Sequence, residues 1–101
     1  MKMMIQFQNP IEPFNSMVRD GTAGSTIRSI LEDLKPEAVY FTAREGRRGG
    51  IMIVNMDSPS EIPRYAEPLF LKFNAEVRFM PCMTPADLEQ AGLDALGEKW
   101  G

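Results

Sequence analysis

Tyr40 to Met56 reads YFTAREGRRGGIMIVNM, with Arg44, Arg47 and Arg48 set among Gly46, Gly49 and Gly50. Guanidinium groups beside glycine amides can hold an anion. The stretch lacks the lysine-serine/threonine ending of a phosphate-binding Walker loop. The same residues also read as a solvated hairpin tip, where glycine permits chain reversal and charge guards against edge association. The chain carries 11 basic and 14 acidic residues, net −3, which opposes a nucleic-acid partner.

Histidine is absent, so the commonest general base and the commonest metal ligand are both missing. Asp20, Asp33, Asp57, Asp87 and Asp94 are scattered, and no pair has metal-ligand spacing. No metal and no cofactor is expected. The single cysteine, Cys82, excludes an internal disulfide and reads as a small buried apolar group. A cytoplasmic location is the simple expectation. The apolar run in MKMMIQFQNP is too short for a signal peptide, and no run is long enough for a membrane span.

The remaining chemistry must be positioned by the fold. A chain of 101 residues, 44% apolar, makes one globular domain, residues 1–101. MKMMIQFQ alternates like a strand, and Asn9-Pro10 ends it. Phe14, Met17 and Val18 have helical spacing, as do Ala23, Ile27, Ile30, Leu31 and Leu34. Gly21 and Gly24 predict a kink or break there, and Pro36 closes the segment. EAVYFTA and GIMIVNM are strand formers, joined by a loop expected over Glu45–Gly49. Ser58 or Ser60 caps a second helix, whose stripe is Ile62, Tyr65, Ala66, Leu69, Phe70 and Phe73. Pro68 lies inside it, kinking the helix and freeing the Arg64 carbonyl. AEVRFMPCM is a fourth strand, and Pro81 places it at an edge. Thr84, Pro85 and Asp87 open a last helix, broken at Gly92.

The order β-α-β-β-α-β plus a C-terminal helix is the ferredoxin-like pattern: an α+β fold, an antiparallel sheet with helices on one face. Alternation is taken to place Met3, Ile5, Phe7, Val39, Phe41, Ile51, Ile53, Val77 and Phe79 beneath the helices. The other face then carries Met4, Gln6, Gln8, Tyr40, Thr42, Arg44, Met52, Val54, Met56, Glu76, Arg78 and Met80. That face is too apolar for open water, and a second copy of the sheet is its expected cover. Ligand-binding candidates follow from the same parity. Tyr40, Arg78 and Gln6 would hold a polar end, and Met52, Val54 and Met80 would line an apolar body. The Tyr40 phenol can donate or orient, but is a poor base. Such polar groups can equally satisfy one another across a dimer.

With its uncovered sheet face, the chain resembles the dimeric α+β barrel superfamily. PEAVYFTAREGRRG, IPRYAEPLFLKFNAEV and MTPADLEQAGLDAL are similar to small, mostly uncharacterised bacterial proteins of about this length. The resemblance implies a homodimer. Superfamily members include monooxygenases, isomerases, dechlorinating enzymes and binding modules. Some related sequences carry a pantothenate-synthetase label, but this chain lacks the histidine-containing nucleotide signature. Three readings therefore stand. One is a homodimeric module binding a small, largely apolar ligand between the sheets. Another is a cofactor-free isomerase or monooxygenase-like enzyme, and the third is a structural dimer with a filled core.

Overall fold

The structure is a computed structural model describing residues 1–101. Four strands, β1 (Lys2–Gln8), β2 (Ala38–Arg44), β3 (Arg47–Asn55) and β4 (Glu76–Cys82), form one sheet. Helices α1 (Ile11–Arg19) and α2 (Ala23–Leu34) cross from β1 to β2, and α3 (Ile62–Phe73) crosses from β3 to β4. The strand order is β2-β3-β1-β4, with every neighbouring pair antiparallel. This is the ferredoxin-like α+β arrangement. Two short helices, α4 (Pro85–Gln90) and α5 (Leu93–Trp100), follow β4.

Local chemistry sets the boundaries. The first helical segment is two helices, because Gly21 takes a positive φ of 82° between them. Asp20 Oδ1 accepts from the Thr22 amide and hydroxyl there, at 3.0 and 2.6 Å. A single turn, Pro59–Glu61, leads into α3, and Ser58 and Glu61 form a reciprocal capping box. Thr84 and Asp87 do the same for α4, while Gly92, at φ 70°, separates α4 from α5.

The β2–β3 hairpin is tighter than the expected Glu45–Gly49 loop. Arg44 pairs with Arg47, so only Glu45 and Gly46 turn, both at positive φ. Two central residues with φ > 0 are what a type I′ hairpin requires. Gly49 and Gly50 instead belong to β3. At Gly50 a Cβ would strike the Tyr40 carbonyl oxygen and the Phe7 ring. Phe7 and Phe41 both pair with Gly50, and their rings meet edge-on, with centroids 6.2 Å apart.

This register overturns the expected parity of β3. Met3 pairs with Val54, and Ile5 and Val39 both pair with Met52. Met52, Val54 and Met56 therefore point into the helix-covered core, where they are 1%, 2% and 1% exposed. They do not lie on the uncovered face, and they cannot form a sheet-to-sheet contact. Ile51 and Ile53 take that position instead, both half-buried. The core proper joins Met3, Ile5, Phe7, Met52, Val54 and Met56 to Phe14, Ile30, Leu34, Tyr65, Leu69 and Phe73 from the helices. Ile62 and Phe70, counted in the expected α3 stripe, remain exposed.

Candidate functional site

The register places three of the proposed ligand residues in one row across the uncovered face. Tyr40 pairs with Ile51, Ile51 with Gln6, and Gln6 with Arg78. The next row is Ala38, Ile53, Met4 and Met80. This face is apolar in its middle and polar at its margin, as expected, although Ile51 and Ile53 replace Met52 and Val54. Tyr40 and Arg78 stand on opposite edge strands, three strand spacings or roughly 14 Å apart. Within one protomer they cannot grip the same small polar group. Tyr40 is 66% exposed and borders neither the large pocket under the helices nor the small dent near Gln6. Only a shallow dent of about 10 Å³ lies by Gln6, Arg44, Glu76 and Arg78.

The substantial cavity is on the other side of the sheet. A half-open pocket of about 370 Å³ lies between the sheet and α1, α2 and α3. Phe7 and Phe41 supply its floor, and Phe14, Ile27, Ile30 and Phe73 its walls. Gly49 adds no side chain to the lining, and Ile27 and Leu31 of α2, which border the pocket, remain only half-buried. Met52 lines this pocket too, so one residue proposed as lining does border a cavity, but on the helix side.

Three polar residues, Asn9, Thr42 and Arg48, border the pocket. Asn9 is 3% exposed, and its Oδ1 is buried without a hydrogen-bond partner. Its backbone amide donates to the Arg48 carbonyl at 2.8 Å, which fixes the residue at the sheet's end. An unpaired buried acceptor costs free energy, which a bound donor would recover only where the side chain turns it toward the pocket. Arg48 holds its guanidinium 5.0 Å from the Phe14 ring centroid and donates to Asn15 Oδ1 at 2.6 Å. Arg48 stays exposed, yet it is tied to α1 and borders the pocket. At the start of α1, the Ser16 hydroxyl donates to Glu12 and holds its carboxyl below the usual range, with Arg19 and Arg48 adding to the effect.

Sequence reasoning treated Asn9 only as a strand terminator. Its one signal was position: an asparagine following Phe7 and Gln8 at a strand's end, before a helix. The pocket lining contains no carboxylate, phenol or thiol, so it offers binding and orientation but no general base. Cys82 is half-buried and free. No group of acidic or cysteine side chains is arranged to hold a metal ion. No helix is long and apolar enough to cross a membrane.

No family model and no curated protein matches the sequence. Among solved structures, the de novo designed protein Ferredog-Diesel superposes with a TM-score of 0.47 at 10% identity, over 80% of this chain and 85% of that one. The chain's own strand order and helix crossings make it an α+β protein of ferredoxin-like architecture, with an apolar pocket under its helices.

Proposed function

We propose that the chain is a homodimeric module that binds a small, largely apolar ligand carrying one polar end. The carrying observation is the 370 Å³ apolar pocket bordered by Asn9, whose Oδ1 is buried without a partner, and by Arg48. A pocket of this size falls in the range that holds small molecules, where apolar area supplies affinity and a few polar groups fix orientation. Asn9 Oδ1 accepts from a hydroxyl or amide, and Arg48 favours an anionic or strongly accepting group. The ligand would therefore sit between helices and sheet within each protomer, not between two sheets. Binding is favoured over isomerase or monooxygenase chemistry because no proton acceptor of suitable pKa borders the pocket. The homodimer rests separately on the uncovered face, where Met4, Ile51, Ile53 and Met80 form an apolar centre.

An anilinonaphthalene sulfonate, with apolar rings and one anion, is a suitable probe. Fluorescence titration of the folded protein should give one site per chain. Ile27→Trp, which fills the pocket, should abolish that site without loss of fold. Arg48→Gln should weaken it about tenfold or more, the worth of a charged hydrogen bond. Equal probe binding by Ile27→Trp and the parent would refute the pocket.

A further inference from the structure

The last two helices have nothing beneath them. Neither α4 nor α5 contains a buried residue, and neither packs on the sheet or on α1–α3. Leu93, Leu96 and Trp100 recur at helical spacing on one face of α5, yet are 57%, 46% and 77% exposed. Leu88 and Met83 are exposed as well. The segment projects: the molecule extends 60 Å with a radius of gyration of 17.1 Å, against about 13 Å for a compact domain of this length. An isolated helix needs roughly 12–15 residues to be even marginal in water. Helix α5 has 8. Its order must come from an apolar surface that its own chain does not provide.

Area and charge both point to a second copy as that surface. Four strands about 4.8 Å apart, seven residues long at about 3.4 Å each, present a face of roughly 450 Å². A stable interface needs roughly 800 Å² per partner. The two helices offer a strip of about 200 Å². In a two-fold assembly the partner's strip covers part of the same open face, so sheet and strip together bury about 650 Å² per protomer, nearer that figure than the sheet alone. The segment is also acidic, with Asp87, Glu89, Asp94 and Glu98 against Lys99. Arg44 and Arg78, both exposed on the uncovered sheet face, have no ion-pair partner. Two residues, Met83 and Thr84, separate the end of β4 from α4, which starts at a capping box. There Thr84 Oγ1 accepts from the Asp87 amide at 3.1 Å, and Asp87 Oδ2 accepts from the Thr84 amide at 2.9 Å. This box fixes the start of α4.

We infer that residues 83–101 form an exchange arm that clasps the second copy. Its Leu93–Leu96–Trp100 face packs against the margin of that copy's open sheet, and its carboxylates face the partner's Arg44 and the partner's Arg78. The arm rests on the homodimer reading and is independent of the ligand pocket.

Trp100 is the sole tryptophan, so its emission reports the arm alone. Sedimentation velocity and tryptophan fluorescence with iodide quenching are measured on the same full-length samples across a dilution series. In the dimer, Trp100 should emit to the blue and resist iodide. On dilution to monomer, or in a monomer made by Ile53→Glu, it should emit as hydrated indole. Asp94→Lys with Glu98→Lys should weaken the dimer at least tenfold, and adding Arg44→Glu with Arg78→Glu should restore most of that loss. A dimer whose Trp100 is fully quenched overturns the arm and leaves the homodimer standing. A Trp100 protected equally in the monomer shows the arm folded on its own chain and overturns the exchange. A chain that is monomeric at every concentration overturns the homodimer reading and the arm with it.

Discussion

Asn9→Leu should stabilise the empty protein and weaken its ligand binding, because one atom is responsible for both effects. The Asn9 side chain is nearly fully buried, and its Oδ1 has no hydrogen-bond donor. Leaving such an acceptor unpaired costs about 1–3 kcal/mol. Leucine has a similar shape, carries no polar atom, and tolerates the extended backbone required before Pro10. The surrounding Phe7, Phe14 and Phe73 can pack on it. A net gain of about 1 kcal/mol is expected, and for a chain of about 100 residues this raises the Tm by roughly 4–8 °C. Differential scanning calorimetry of the ligand-free protein measures it. The same variant should bind the sulfonate probe more weakly wherever the probe donates to Oδ1, and equally where Arg48 alone holds it. A Tm lowered by 4 °C or more would refute the reasoning, since it would show that the Asn9 amide makes a stabilising bond.

Gly50→Ala should cost about 2 kcal/mol, because its Cβ meets the backbone carbonyl of Tyr40, which cannot move aside; urea unfolding checks it. Val54→Glu places an unpaired charge in the core and should unfold the chain, at a cost of about 4 kcal/mol or more, whereas Ile53→Glu should leave the circular dichroism intact. Arg47→Ser should leave the Tm unchanged, while Arg48→Ser should lower it by about 1 kcal/mol of stability, through the lost Asn15 bond and Phe14 stacking. Glu61 accepts from the Asp57 and Ser58 amides and Asp87 from the Thr84 amide, which holds both carboxyls below their usual 4.5 and 3.8. A carboxyl lowered on folding stabilises fully above its unfolded pKa, and that contribution is lost as pH falls through the folded value. Stability should therefore decline below about pH 4.5, and Glu61→Gln should flatten that decline in thermal melts from pH 7 to pH 3.

The element order was legible because each boundary has a local cause: Pro10, Gly21, Pro36, the Ser58 and Thr84 capping boxes, and Gly92. The parity of β3 was not. Ile51, Met52, Ile53 and Val54 form an unbroken apolar run, so alternation cannot say which pair faces the helices. The deciding information lay in the hairpin. A two-residue Glu45-Gly46 turn pairs Arg44 with Arg47, and counting back from there sets Val39 against Met52 and Tyr40 against Ile51. Assigning the turn to five residues removed that constraint. Of the candidate residues, Tyr40, Gln6, Arg78 and Met80 lie on the uncovered face, and Met52 and Val54 do not. The pocket itself was illegible, because it depends on three helices and two floor rings meeting at one place. Asn9 becomes informative only when its burial and its empty acceptor are seen together.

The ligand site is tested most directly by mapping the sulfonate probe onto the protein with backbone and methyl chemical shifts. Binding in the proposed pocket should move the resonances of Phe14, Ile27, Ile30, Leu31 and Phe41, and leave Met4, Ile51, Ile53 and Met80 still. Shifts confined to Met4, Ile51, Ile53 and Met80 would place the ligand between the sheets and contradict a site beneath the helices.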